Sequence, residues 1–189
     1  SLIRVEYEVL PAVFDPRDAM KPDAPKVHEG GNLLQKNNLR KGDVEKGFAE
    51  ADVILERTYQ VPFLEHAYIE PDITFAVPQP DGTMLVEGPM QAPFTVRRNI
   101  AAVLGVPVNQ VRARQIHMGG GFGGKEDSPI DIGCRAAVLA HHTGRPVRIA
   151  LEREEITIQT CKRHPMIMQI KIGARKDGKL LAFEGVIYD

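Results

Sequence analysis

An α+β fold, with helices packed on mixed sheets, is what this sequence predicts, and three observations carry the prediction. Short β-branched and aromatic runs of strand period recur along the chain. Two stretches of helical period lie among them, each closed by a glycine. Apolar residues make up 43% and charged residues 26%, which is enough apolar material for a core and too much for a disordered chain.

From the N-terminus, "SLIRVEYEVLPAV" alternates as a strand does, and "LLAFEGVIYD" ends the chain in the same style. Neither end shows polar fraying, so the chain reads as a piece of a longer polypeptide. Between Asp15 and Asp43 the residues turn to Pro, Asp, Lys, Gly and Asn without period, as in a linker, and a boundary is expected near Lys41. A short amphipathic turn around Val44 to Ala51 and a strand over "DVILERTYQVPF" follow. "DITFAVPQPDGTMLVEG" reads as a hairpin, because proline presets φ and glycine accepts the positive φ of a tight reversal.

At Pro93 the period changes. Proline suits a first helical position, Val96, Ile100, Val103 and Leu104 share a face, and Gly105 supplies a left-handed stop. "VRARQIHM" then leads as a strand into a glycine-rich loop. Beyond it, Ile130, Cys134, Ala137, Val138 and His141 form one helical stripe, and Ile132, Ala136 and Leu139 make the rest apolar, so a helix buried on most sides and ended by Gly144 is expected. "RPVRIAL", "MIMQIKIGA" and "KLLAFEGVIYD" supply further strands, the last two joined by the turn "RKDGK".

At 189 residues the chain holds one sizeable core, or one domain and a piece of another. Its 24 basic and 25 acidic side chains nearly cancel and form no long run, which argues against nucleic acid or an anionic membrane as partner. Cys134 and Cys161 are too few for a disulfide framework, a four-thiolate zinc site or an iron-sulfur cluster. A reducing, cytoplasmic location is expected, with no apolar run near the ~20 residues that span a bilayer.

The most informative stretch is "RQIHMGGGFGGKED", with five glycines in six positions around Phe122. Strand, glycine loop, helix is an order that offers backbone amides to an anionic or strongly polar ligand. Gly119, Gly121 and Gly124 satisfy a dinucleotide-type GxGxxG, but in so glycine-rich a run the match is nearly automatic. Glu152, at the position of a ribose-binding acid after the next strand, comes later than the usual ~20 residues. A P-loop is excluded, since Glu126 holds the place of the required Ser or Thr and would repel phosphate. The bland alternative is a loop that merely lets strand and helix pack closely; each glycine costs roughly 0.5–1 kcal/mol of chain entropy, which favours a ligand. Lys125 is expected to be a solvated neighbour. His66 and Glu70 have i, i+4 spacing but lack a second histidine, so zinc is not expected. His141 and His142 suit a helix end, and His164 suits a turn.

With these residues assembled, "MGGGFGGKE" resembles the cofactor loop of the xanthine dehydrogenase and aldehyde oxidase family of molybdenum hydroxylases. "RVEYEVLPAVFDPRDA" is similar to the end of that family's α/β hammerhead domain, and "EHAYIEPDITFA", "GPMQAPF", "TGRPVRIALEREE" and "CKRHP" to segments around the loop. The resemblance implies a division into residues 1–27, the end of the hammerhead domain, 28–42, a linker, and 43–189, the first part of the molybdopterin-binding domain.

The resemblance also implies site residues. Gln91 falls at the glutamine whose amide meets an oxygen of the molybdenum centre; alternatively it serves a nearby backbone group. Gly120, Gly121, Phe122 and Gly123 would hold the cofactor, with a glycine allowing close approach and the ring walling the pocket; a plain core phenylalanine is the other reading. Glu126 matches the carboxylate that faces the substrate ring in purine-hydroxylating members, or it simply occupies a helix first turn. The implied cofactor is molybdenum-molybdopterin, plain or as a cytosine dinucleotide, acting in oxidative hydroxylation of an N-heterocycle or aldehyde. A general-base glutamate is expected beyond residue 189, and [2Fe-2S] clusters and FAD on other domains or subunits. On this reading the 189-residue chain alone is inactive. A NAD- or FAD-binding domain and a noncatalytic assembly module derived from the enzyme are the rival readings.

Overall fold

The computed structural model describes residues 4–189 and divides into two compact units. One is built from residues up to Pro62 together with Pro165–Asp189, and the other from Phe63–His164.

The second unit carries the glycine loop. β2 (Ile73–Pro78) and β3 (Met84–Gly88) form the expected hairpin, with Gly82 at φ 83° and the Asp81 carboxylate accepting the Thr83 amide at 2.9 Å. α3 (Pro93–Leu104) then crosses to β4 (Val111–Gln115), which pairs parallel to β3. Pro93 opens the helix and Gly105, at φ 67°, ends it. After the loop come α4 (Ser128–Thr143), stopped by Gly144 at φ 63°, and β5 (Val147–Ala150). The sheet order is β4-β3-β2-β5, with β5 antiparallel to β2. The core gathers Met84, Val86 and Val111 of the sheet, Val96 and Ile100 of α3, and Ala136, Ala137 and Ala140 of α4.

The buried stripe of α4 differs from the expected one. It comprises Pro129, Ile132, Gly133, Ala136, Ala137 and Ala140, whereas Leu139 is half exposed and His141 exposed. Small side chains let the helix lie close to α3 and the sheet, so the larger apolar residues are turned outward, where Val103, Val138 and Leu139 line an open groove. Val103, expected on the buried face of α3, is exposed for the same reason. A helix that was not expected, α5 (Arg153–Gln159), follows β5 and opens with a reciprocal capping box between Glu152 and Glu155.

In the first unit, β1 (Val53–Val61), β6 (Met166–Ala174) and β7 (Leu180–Tyr188) form an antiparallel sheet in the order β1-β6-β7. α2 (Val44–Ala49) covers one face, where Gly47 meets Leu181 and Ala182, and Phe48 meets Gly173. On the other face Leu55, Ile172 and Phe183 lie in register, as do Tyr59, Met168 and Ile187, and the four residues from β1 and β7 are each more than half exposed. The strand expected at the start of the chain is not formed between residues 4 and 15, and its first three residues lie outside the described ones. Alternation alone does not make a strand, because an extended segment needs a neighbour to satisfy its amides. The expected linker also begins with a short helix, α1 (Pro16–Ala19), capped by Asp15.

Candidate functional site

The loop between β4 and α4 lies against two other segments of its own unit: residues 65–72, leading into β2, and Gln91, just before α3. Most of its glycines are required by these neighbours. A Cβ on Gly119 would stand 2.6 Å from Glu70 Cβ, and one on Gly124 2.7 Å from the Tyr68 ring and 2.8 Å from His66. A Cβ on Gly121 would collide with the Gln91 amide, and one on Gly120 would press on Tyr68 and Phe122. Close packing within the chain, the alternative reading of the loop, thus accounts for four of its five glycines, which accommodate this chain's own side chains. Gly123 is the open position, at φ 92° with nothing nearer its missing side chain than His66 at 3.6 Å.

Gln91 staples the loop. Its side-chain Oε1 accepts from the backbone amides of Gly123 and Lys125 at 3.1 and 3.2 Å, and its backbone N–H donates to the Lys125 carbonyl at 2.8 Å. The alternative role, service to backbone groups, is thus realised for the side-chain oxygen. The Nε2 donor has no partner among the described residues. The amides of Gly120, Gly121 and Phe122 also donate to nothing among the described residues. Phe122 is not a core residue: it is 76% exposed and holds φ 52°, a left-handed conformation that costs a bulky residue about 1–2 kcal/mol.

Lys125 reverses its expectation. It is fully buried, its ammonium pairs with Glu70 Oε2 at 2.6 Å, and it stands 4.6 Å from the Tyr68 ring centroid. The same Glu70 oxygen accepts the Gly119 amide at 2.8 Å. Burial raises the Glu70 carboxyl, but Lys125 and the Gly119 amide outweigh it and hold it below the usual carboxylate range. Behind them Tyr68 donates to Asp72. Burial pushes the Asp72 carboxyl up against that hydrogen bond, and burial followed by Asp72 raises the Tyr68 phenol. Arg153 Nη2 holds the Tyr68 and Ile69 carbonyls at 2.5 and 3.0 Å.

The structure brings Gln91, Gly121 and Gly123 together and sets Phe122 at the exposed crest. Glu126 is exposed at the end of the loop, two residues before α4 begins at Ser128. Glu70, Tyr68 and Lys125 were not singled out as a set from the sequence. Glu70 and Lys125 lie 55 residues apart, so no local spacing signals their pairing. Glu70 is committed to Lys125 rather than to an ion shared with His66. Nor is a dinucleotide unit built here. Glu152 caps α5, and β5 lies at the opposite sheet edge from β4.

The chemistry of these donors suits an oxygen-rich ligand. Residues 27–189 match the family model described as the molybdopterin cofactor-binding domain. The nicotinate dehydrogenase large molybdopterin subunit of Eubacterium barkeri is 39% identical over 96% of this chain, and a probable xanthine dehydrogenase subunit of Bacillus subtilis is 39% identical over 97%. The chain spans 42% and 24% of the length of those relatives. Aldehyde oxidoreductase from Desulfovibrio gigas superposes with a TM-score of 0.84 at 32% identity, over 96% of this chain and 20% of that one. By these matches the chain belongs to the molybdopterin cofactor-binding domain family of the xanthine dehydrogenase-type molybdenum hydroxylases.

Proposed function

We propose that this chain forms the loop side of the cofactor site in a molybdenum hydroxylase acting on an N-heterocycle, with an aldehyde as the second substrate class. The observation that carries the proposal is the set of donors without protein partners among the described residues, the amides of Gly120, Gly121 and Phe122 in the loop and Nε2 of Gln91 stapled against it, in a molybdopterin cofactor-binding domain. In this reading Gln91, Gly120, Gly121, Phe122 and Gly123 hold the cofactor, with Gln91 Oε1 fixed on the loop so that Nε2 is the donor presented. The bound cofactor supplies the redox and oxygen-transfer chemistry. The chain's own residues bind and orient it, and the exposed Phe122 ring shields it from water.

Glu126 is assigned to the substrate, because an exposed carboxylate at the loop's end can accept a ring N–H, and two relatives are named for the N-heterocycles nicotinate and xanthine. Residues 1–27 are assigned to the end of a hammerhead domain, 28–42 to a linker and 43–189 to the first part of the cofactor domain. The remainder of a large subunit, with iron-sulfur and FAD domains or subunits, completes the enzyme. A cytoplasmic location accords with the free thiols of Cys134 and Cys161, and among the described residues no helix is long and apolar enough to cross a membrane.

The test is turnover by the full-length protein, with molybdenum and pterin quantified per polypeptide. Heterocycle hydroxylation is expected, with Glu126→Gln lowering kcat/KM for the heterocycle on the order of 10²-fold and leaving any aldehyde oxidation within a few-fold. Oxidation of aldehydes alone, indifferent to Glu126→Gln, would overturn the substrate assignment.

A further inference from the structure

We infer that Glu70 is a positioning residue for the cofactor loop, a clasp whose single oxygen Oε2 ties the loop's two ends together. The inference rests on the proposed cofactor role of that loop. At one end Oε2 accepts the Gly119 amide at 2.8 Å, and at the other it accepts the Lys125 ammonium at 2.6 Å. The approach is close enough that Gly119 has no room for a side chain against Glu70. Between these ends lie Gly120, Phe122 and Gly123, at φ 95°, 52° and 92°. Glycine adopts such values freely, but phenylalanine does so only where its surroundings leave no alternative. The clasp at the ends and Gln91 in the middle supply that constraint.

Glu70 is itself held from behind. Its amide donates to the Gly119 carbonyl at 3.4 Å, Arg153 grips the carbonyls of Tyr68 and Ile69, and the Leu151 amide donates to the Asp72 carbonyl at 2.9 Å. The Lys125 ammonium pairs with the Glu70 carboxylate and also lowers the Asp72 carboxyl, against the burial that raises it. Stability alone explains such a pair poorly, since apolar replacements of similar volume are often neutral or stabilising at buried ion pairs. What an apolar pair cannot reproduce is one acceptor shared by two points six residues apart.

The test uses the full-length, cofactor-loaded protein in four variants: Glu70→Gln with Lys125→Met together, Glu70→Gln alone, Glu70→Asp, and Gly123→Val. The readouts are the melting temperature, the rate at which molybdenum and pterin leave the folded protein, and the Mo(V) electron paramagnetic resonance spectrum. The charge-neutral double variant is expected to melt near the parent temperature yet release the cofactor about 10- to 100-fold faster, as residues supporting a metal site do, with an altered spectrum. Glu70→Asp keeps the charge but shortens the reach, and is expected to release faster as well. Parent-like release and spectra in folded double and Asp variants would overturn the inference. Should the double variant fail to fold, the Asp variant decides by the same readouts. Gly123→Val separates the layers: if it expels the cofactor while the Glu70 variants do not, only the clasp falls. If Gly123→Val leaves release unchanged, the cofactor role of the loop falls and the clasp with it.

Discussion

Lys125 engages the chain through three groups at once: its amide and carbonyl on Gln91 and its ammonium on Glu70. Lys125→Met alone strands a half-buried carboxylate and is expected to destabilise the protein by roughly 1–3 kcal/mol, measured by urea unfolding. The pair also sets an acid limit. Because the folded-state value of Glu70 is lowered, its contribution to stability is present above the ordinary 4.5 and is lost as pH falls through the lowered value. Glu65, paired with Lys162 at 2.7 Å, has the same sign, and Asp72, raised by burial, has the opposite one. Urea midpoints measured against pH are therefore expected to fall less steeply below 4.5 in Glu70→Gln than in the parent. Glu126 became a candidate only through the family resemblance, and the burial of Lys125 was not legible at all, because it is settled only when residue 70 folds onto residue 125.

Legibility among the elements follows their punctuation. α3 carries a proline at its start and a glycine at its end, and both boundaries could be read. α5 has seven residues and one buried apolar side chain, Ile156, too few to display a period. Its signal was the Glu152–Glu155 pair, of which only Glu152 was weighed, and that as a ribose ligand set too far along the chain. Glu155→Ala is expected to cost α5 about 1 kcal/mol and loosen Arg153 at its first turn, visible as faster hydrogen exchange over residues 68–70. In α4 the apolar residues were legible but not the face they turn inward, since alanine and glycine mark close packing more weakly than leucine marks burial. Ala136→Leu at that contact is expected to cost roughly 1–3 kcal/mol by overpacking, measured as a lowered urea midpoint.

For the molecule as a whole, the α+β class, the two hairpins and the strand-loop-helix order around the glycines could all be read, because each rests on contacts near in sequence. The pairing of β1 with β6 could not, since it joins segments more than a hundred residues apart. That sheet also carries the row of Leu55, Tyr59, Phe183 and Ile187 on its uncovered side. A contiguous greasy surface of this kind makes a free polypeptide adhere to its copies. Purified by itself, the 189-residue chain is expected to sediment as a concentration-dependent mixture, and Tyr59→Lys with Ile187→Lys to shift it toward monomer. The yield of such a preparation then reports on colloidal behaviour of one sheet before it reports on cofactor capture at the other unit's bend.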